Sequence, residues 1–233
     1  MDKNKEKILT LTEHLTELRK RIVISLIAVI LASIVTFTYV DIIRESITAP
    51  AGNLVFLTLA EAFMTNIKIA LVSGCLLAFP VILFQVWSFV LPGLSPSERR
   101  FTILFVIASL FFFLTGVVFA YHVIIPISIK FFLGFATEDL MPMLSFNSYI
   151  SYISGIIFAF GLVFQLPIAV FILAKLGLVS SDLLKKYRMY AVVVIFIVAA
   201  VITPPDVFSQ ILMALPMMLL YEISILAAKI VGK

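Results

Sequence analysis

Charge is scarce in this chain, and cysteine is almost missing. Asp, Glu, Lys and Arg make up 13% of the 233 residues, against roughly a quarter in an ordinary soluble domain. Cys75 is the single cysteine, so an intramolecular disulfide is excluded and no Cys/His metal site can be assembled around it. The two histidines, His14 and His122, stand more than a hundred positions apart and read as interfacial side chains. Gly-x-Ser-x-Gly, His-Glu-x-x-His and phosphate-binding loop patterns are all missing. These absences argue against an enzyme and imply no metal, no cofactor and no nucleic-acid partner.

What the chain has in abundance is apolar surface. Hydrophobic residues reach 63% and the mean hydropathy is +1.20, too much for one water-soluble core to hide. Long apolar runs occupy residues 22–40, 67–90, 101–125, 150–174 and 207–228, with a shorter run at 189–202. About 20 apolar residues suffice to cross a bilayer as a helix. The expected fold class is therefore an all-α membrane protein with six transmembrane helices. The first run is too long for the core of a cleavable signal and follows some twenty polar residues, so the N-terminal segment is expected to be retained.

The basic residues support the even count. Fourteen of the 17 Lys and Arg fall on alternate connections: Lys3 to Lys7, Arg19 to Arg21, Arg99 and Arg100, Lys175 to Arg188, Lys229 and Lys233. Arg44, Lys68 and Lys130 fall on the others. Positive charge near helix ends is retained in the cytoplasm, which predicts both termini inside the bacterial cytoplasmic membrane. The expected organisation is a cytoplasmic amphipathic segment at 1–21, a transmembrane domain at 22–228 and a short tail at 229–233. Larger external caps are expected near 41–66 and 126–149.

Ile8, Leu11, Leu15, Leu18 and Ile22 recur at helical spacing, giving an amphipathic helix that leads into the first span. Ser95-Pro96-Ser97-Glu98 has the form of a helix start, with Ser95 at the cap and Glu98 closing a capping box. Thr203-Pro204-Pro205-Asp206 is the whole connection between the fifth and sixth spans. The fifth is only about 21 Å long at 1.5 Å per residue, short of the hydrocarbon core. Pro80, Pro126, Pro167 and Pro216 are expected to kink or cap other spans.

Polar groups at membrane depth are functional candidates. Gln165 lies inside the fourth span beside Pro167, which frees a backbone carbonyl that Gln165 could bond; the alternative is contact with a partner. Glu222, toward the cytoplasmic end of the sixth, is expected to pair with a Lys or Arg. On the basic face, Glu17 can pair with Arg21 four residues on, and Glu98 can cap a helix. Either carboxylate could instead accept a guanidinium bidentately from a ligand. A secondary transporter would also use Pro-broken helices and a midmembrane Gln165, but no internal repeat is evident and buried charges are few. A purely structural scaffold is a third reading.

Several longer motifs occur together. His14-Leu15-Thr16-Glu17-Leu18-Arg19-Lys20-Arg21 precedes the first span, and Gln85-Val86-Trp87-Ser88-Phe89-Val90-Leu91-Pro92-Gly93-Leu94 runs toward Glu98-Arg99-Arg100. Ala159-Phe160-Gly161, Phe164 and Pro167 follow, then Thr203 to Gln210. In order and content these resemble the TatC family of the twin-arginine protein translocase, across nearly the whole chain. The resemblance implies a cupped, glove-like six-helix bundle with short helices five and six, receiving the twin-arginine signal peptides of folded cargo at its cytoplasmic face. By motif, Glu98 would be the main acceptor of the arginines, with Phe89, Leu94 and Arg100 shaping the adjacent surface and Glu17 and Arg19 contributing from beside it. Partners would be single-span subunits of the TatA and TatB kind, the lipid bilayer and further copies of the chain, in proton-motive-force-driven export. Pro50 and Asp206 match positions tied to assembly. Many relatives carry glutamate where this chain has Gln165, so an ionisable group cannot be required there.

Overall fold

The computed structural model describes residues 11–52, 54–90, 102–137, 143–203 and 206–231. The chain is helical almost throughout, in the order α1 (Leu11–Thr38), α2 (Val40–Thr48), β1 (Leu54–Val55), α3 (Leu59–Val90), α4 (Thr102–Phe119), a π-helical turn (Ala120–Ile124) and α5 (Ile125–Leu133). Then come β2 (Leu144–Ser145), α6 (Phe146–Val163), α7 (Leu166–Lys175), α8 (Ser181–Lys186), α9 (Arg188–Ile202) and α10 (Val207–Val231).

Among the described residues five helical rods are long and apolar enough to cross a membrane: Leu15–Thr38, Leu59–Val90, Ile103–Leu133, Phe146–Lys175 and Val207–Val231. The sixth crossing, α9, has 15 residues and spans only about 22 Å at 1.5 Å per residue. Six crossings return the chain to the side from which it set out. Leu26, Ile30, Ile34, Ile107, Val193 and Ile197 are among many apolar side chains left exposed, as lipid-facing residues must be.

Three boundaries differ from the sequence expectation. The second span begins at Leu59 rather than 67, because Leu59-Ala60-Glu61-Ala62 is helical although its glutamate interrupts the apolar run. The third continues past Pro126 to Leu133: proline is tolerated where the π-turn gives way to the first turn of α5. The sixth crossing is not short, since α10 runs for 25 residues with Pro216 inside it. The amphipathic N-terminal helix and the first span are one continuous rod, α1.

The first two spans pack closely because small residues face each other. A Cβ at Gly74 would lie 2.3 Å from Ser33 Oγ and 2.5 Å from Ser33 Cα. Nearby, Thr36 Oγ1 donates to the Ala70 carbonyl at 2.7 Å. The apolar core forms two clusters. The larger gathers Ile69, Ile124, Ile150, Phe160 and Met213; the second gathers Phe79, Leu83, Trp87, Phe113, Ile168 and Ile172.

At the end of the bundle away from the start of α1, the two caps are tied to each other. Strands β1 and β2 pair in parallel, Leu54 with Leu144 and Val55 with Ser145. Glu61 accepts from Leu57 N at 2.6 Å, Ser145 Oγ at 2.7 Å and Asn147 N at 3.1 Å. Lys68 Nζ donates to Asn147 Oδ1 at 2.6 Å and Ser151 Oγ at 2.8 Å. Two tyrosine hydroxyls, Tyr121 and Tyr149, donate to the Ser46 and Ile47 carbonyls, satisfying acceptors at the end of α2 that its own ladder leaves over.

Candidate functional site

The N-terminal motif lies on the first turns of α1. Residues 17 and 21 are one turn apart, so the side chains of Glu17 and Arg21 meet. Arg21 Nε donates to Glu17 Oε1 at 3.0 Å, and Nη2 contacts the same oxygen. Its remaining arm, Nη1, donates to Gln85 Oε1 on α3 at 3.3 Å. Glu17 is 25% exposed and Arg21 21%, so the pair is neither buried in apolar surroundings nor freely solvated. Arg19 and Lys20 are exposed on the same turns. Phe89 lies one turn beyond Gln85 on α3 and is half-buried. Leu94, Glu98 and Arg100, expected to complete this surface, lie outside the described residues.

The structure thus brings Glu17, Arg21 and Gln85 together where α1 and α3 meet. The pairing of Glu17 with Arg21 was readable from their spacing. Gln85 as the third member was missed, although a glutamine set into an otherwise apolar run is a signal for it.

A second polar site lies at membrane depth. The fourth crossing breaks at Phe164 and Gln165, between α6 and α7, with Pro167 in the first turn of α7. Gln165 does not bond the carbonyl freed by that proline. Its Nε2 reaches across to the Ser109 carbonyl on α4 at 3.0 Å, because the break turns the side chain toward the neighbouring span. Ser109 Oγ in turn accepts from Trp87 Nε1 on α3 at 2.9 Å. Three spans are knotted through one serine. Gln165 Oε1 is buried, with no hydrogen-bond donor among the described residues. Beside the break, Phe112, Thr115, Phe164, Pro216 and Leu219 are among the residues lining a groove of about 560 Å³.

The other candidates lie apart from both sites. Glu222 accepts from Arg188 Nη2 at 2.8 Å, linking α10 to the start of α9, and both side chains are about half-exposed. Asp206 caps α10 by accepting from Ser209 N at 2.7 Å. Pro50 follows α2 and borders a recess shared with Pro126, Lys130 and Gly134. Among the described residues no group of three or more His, Cys, Asp or Glu is placed to hold a metal ion.

This architecture has close counterparts. The family profile described as Sec-independent protein translocase protein (TatC) matches residues 13–216. A TatC protein of Carboxydothermus hydrogenoformans is 46% identical over 231 residues, covering 97% of this chain and 95% of the relative. One from Aquifex aeolicus is 40% identical over 228 residues, covering 94% and 95%. A crystal structure of the twin arginine translocase receptor TatC superposes with a TM-score of 0.87 at 38% identity, covering 94% of this chain and 99% of that one. With the family profile matched over most of its length and relatives at this identity aligned nearly end to end, the chain belongs to the TatC family of Sec-independent protein translocase proteins.

Proposed function

We propose that the chain is the receptor of the twin-arginine translocase, taking the paired arginines of signal peptides at the rim where α1 and α3 meet. As a TatC-family protein it is a core component of that translocase, a multi-pass protein of the bacterial inner membrane, and not an enzyme. The observation that carries the receptor reading is the Glu17 carboxylate, partly exposed and fixed at the junction of two spans. A carboxylate accepts hydrogen bonds of fixed direction from the planar fork of a guanidinium, which a compact ammonium does not reproduce. Support also comes from the resemblance, which assigns Glu98 as the principal acceptor with Phe89, Leu94, Arg19 and Arg100 around it. The distribution of basic residues supports placing this rim, and both termini, in the cytoplasm.

The same reading assigns partners. Single-span subunits of the TatA and TatB kind dock along α9 and α10, where the short α9 favours a thinned bilayer for passage of folded cargo. Gln165, with its unpartnered acceptor oxygen, offers a hydrogen bond to a partner helix, and Glu222 lies where α9 and α10 converge. Pro50 and Asp206 hold the opposite end in shape for assembly of several copies.

Cross-linking a twin-arginine peptide to the full chain in membranes tests the receptor reading. Glu98→Ala is expected to abolish most cross-linking, and a Lys-Lys peptide is expected to bind at least about tenfold more weakly, as loss of a charge-assisted hydrogen bond implies. Equal cross-linking by a correctly inserted Glu98→Ala protein removes Glu98 from the site. Equal affinity for both peptides overturns the receptor reading itself.

A further inference from the structure

We propose that Arg21 and Gln85 are positioning residues that aim one oxygen of Glu17 at the signal peptide and so set its preference for arginine over lysine. The inference rests on the receptor reading of Glu17. Both contacts from Arg21 fall on a single oxygen, Oε1. Among the described residues no partner reaches Oε2.

The restraint comes from the third arm. A guanidinium free to rotate would settle face to face on the carboxylate, with one N–H on each oxygen, and would occupy both oxygens. Here Nη1 is committed to Gln85 Oε1, across to another helix. Because the guanidinium is planar and its donors are fixed in a fork, tethering that arm fixes where the other two lie. Oε1 is engaged by Arg21, and no described residue takes Oε2. Gln85 suits the task because it is neutral: it anchors Arg21 without neutralising it.

The resident positive charge also sharpens selection. An incoming cation meets a carboxylate already paired with Arg21, so its net Coulombic attraction is weak whatever its chemistry. Binding then depends on hydrogen bonds of defined direction, which a guanidinium forms and a compact, strongly hydrated ammonium forms poorly. Arg21 works against lysine as much as for arginine.

The test uses the full-length chain in lipid nanodiscs with two fluorescent synthetic peptides, one carrying an Arg-Arg pair and the other Lys-Lys, read by anisotropy. Gln85→Ala and Arg21→Lys are each expected to weaken Arg-Arg binding by about tenfold, while Lys-Lys binding moves by less than about twofold. In a Glu17→Gln background neither change should have any further effect, since both act through that carboxylate. Circular dichroism checks that each variant is folded; should Arg21→Lys fail that check, Gln85→Ala alone carries the comparison. An unchanged Arg-Arg preference in Gln85→Ala overturns the proposal, as do losses that multiply with that of Glu17→Gln. A Glu17→Gln protein that binds both peptides as the parent does removes Glu17 from the receptor site, a failure of the underlying reading and distinct from the other two.

Discussion

Ser109→Ala offers the sharpest test of how the bundle is held together. The hydroxyl it removes is the acceptor for the Trp87 indole N–H at 2.9 Å, at a position where Ser109 is fully buried and Trp87 is 8% exposed. Water cannot replace it. Interhelical hydrogen bonds in membrane proteins average about 0.6 kcal/mol and reach about 1.7, because the unfolded chain in the membrane also finds partners. An orphaned buried donor in proteins generally costs about 1–3 kcal/mol. A loss of about 1–1.5 kcal/mol is expected, with Ser109→Thr close to the parent. The Gln165 contact survives, since it uses the Ser109 main-chain carbonyl. Trp87 is the only tryptophan in the chain, so the emission followed during unfolding by SDS comes from the surroundings of this contact. The control is Trp87→Phe, followed by circular dichroism: with no indole N–H to orphan, Ser109→Ala should then cost under about 0.5 kcal/mol. A full-sized loss in that background refutes the reasoning and points to packing as the cause.

Other expectations follow from single contacts. Gly74→Leu should lose at least about 3 kcal/mol, measured by SDS titration, and Ser33→Gly should not rescue it, because the Ser33 Cα is as close to the new Cβ as its hydroxyl. Glu61→Gln turns an acceptor into a donor facing either Leu57 N or the Ser145 and Asn147 donors, so amide exchange at Leu57 or at Asn147, whichever the amide nitrogen faces, should accelerate while the spans stay protected. Reversing the Arg188–Glu222 pair by exchanging the two residues should leave stability within about 0.5 kcal/mol of the parent, as exposed ion pairs contribute little; a larger loss would show that the pair is shielded by something beyond lipid and water.

The helices themselves were legible because hydrophobicity over some twenty residues needs no knowledge of neighbours. The same holds for the short α9, the Glu17 and Arg21 pairing, and a basic partner for Glu222. What escaped was which particular residues meet across distant segments. Glu61 and Asn147 are 86 positions apart, and Lys68 and Ser151 83 apart, so no local pattern foretells the tie between the caps. The two-residue strands are too short to carry an alternation signal. The kink at Gln165 was visible through Pro167, but its consequence was not. Which way a break turns a side chain depends on the crossing helix, and here that helix supplies Ser109.

That geometry also explains why an amide suits position 165 and separates two roles it could serve. The contact to the Ser109 carbonyl requires a donor, which an ionised carboxylate lacks. A glutamate there must keep its proton or turn away from α4. Gln165→Leu removes one interhelical hydrogen bond and, at the same time, a buried oxygen that has no donor, so the two effects largely offset. Folding stability should shift by less than about 1 kcal/mol. If Oε1 is held open for a partner helix, co-purification of the TatA- and TatB-type subunits should nonetheless fall markedly, and Gln165→Glu at low pH, where the acid can donate, should recover it better than at high pH. Undiminished co-purification from a stable Gln165→Leu protein would confine this residue to joining α4 and α7.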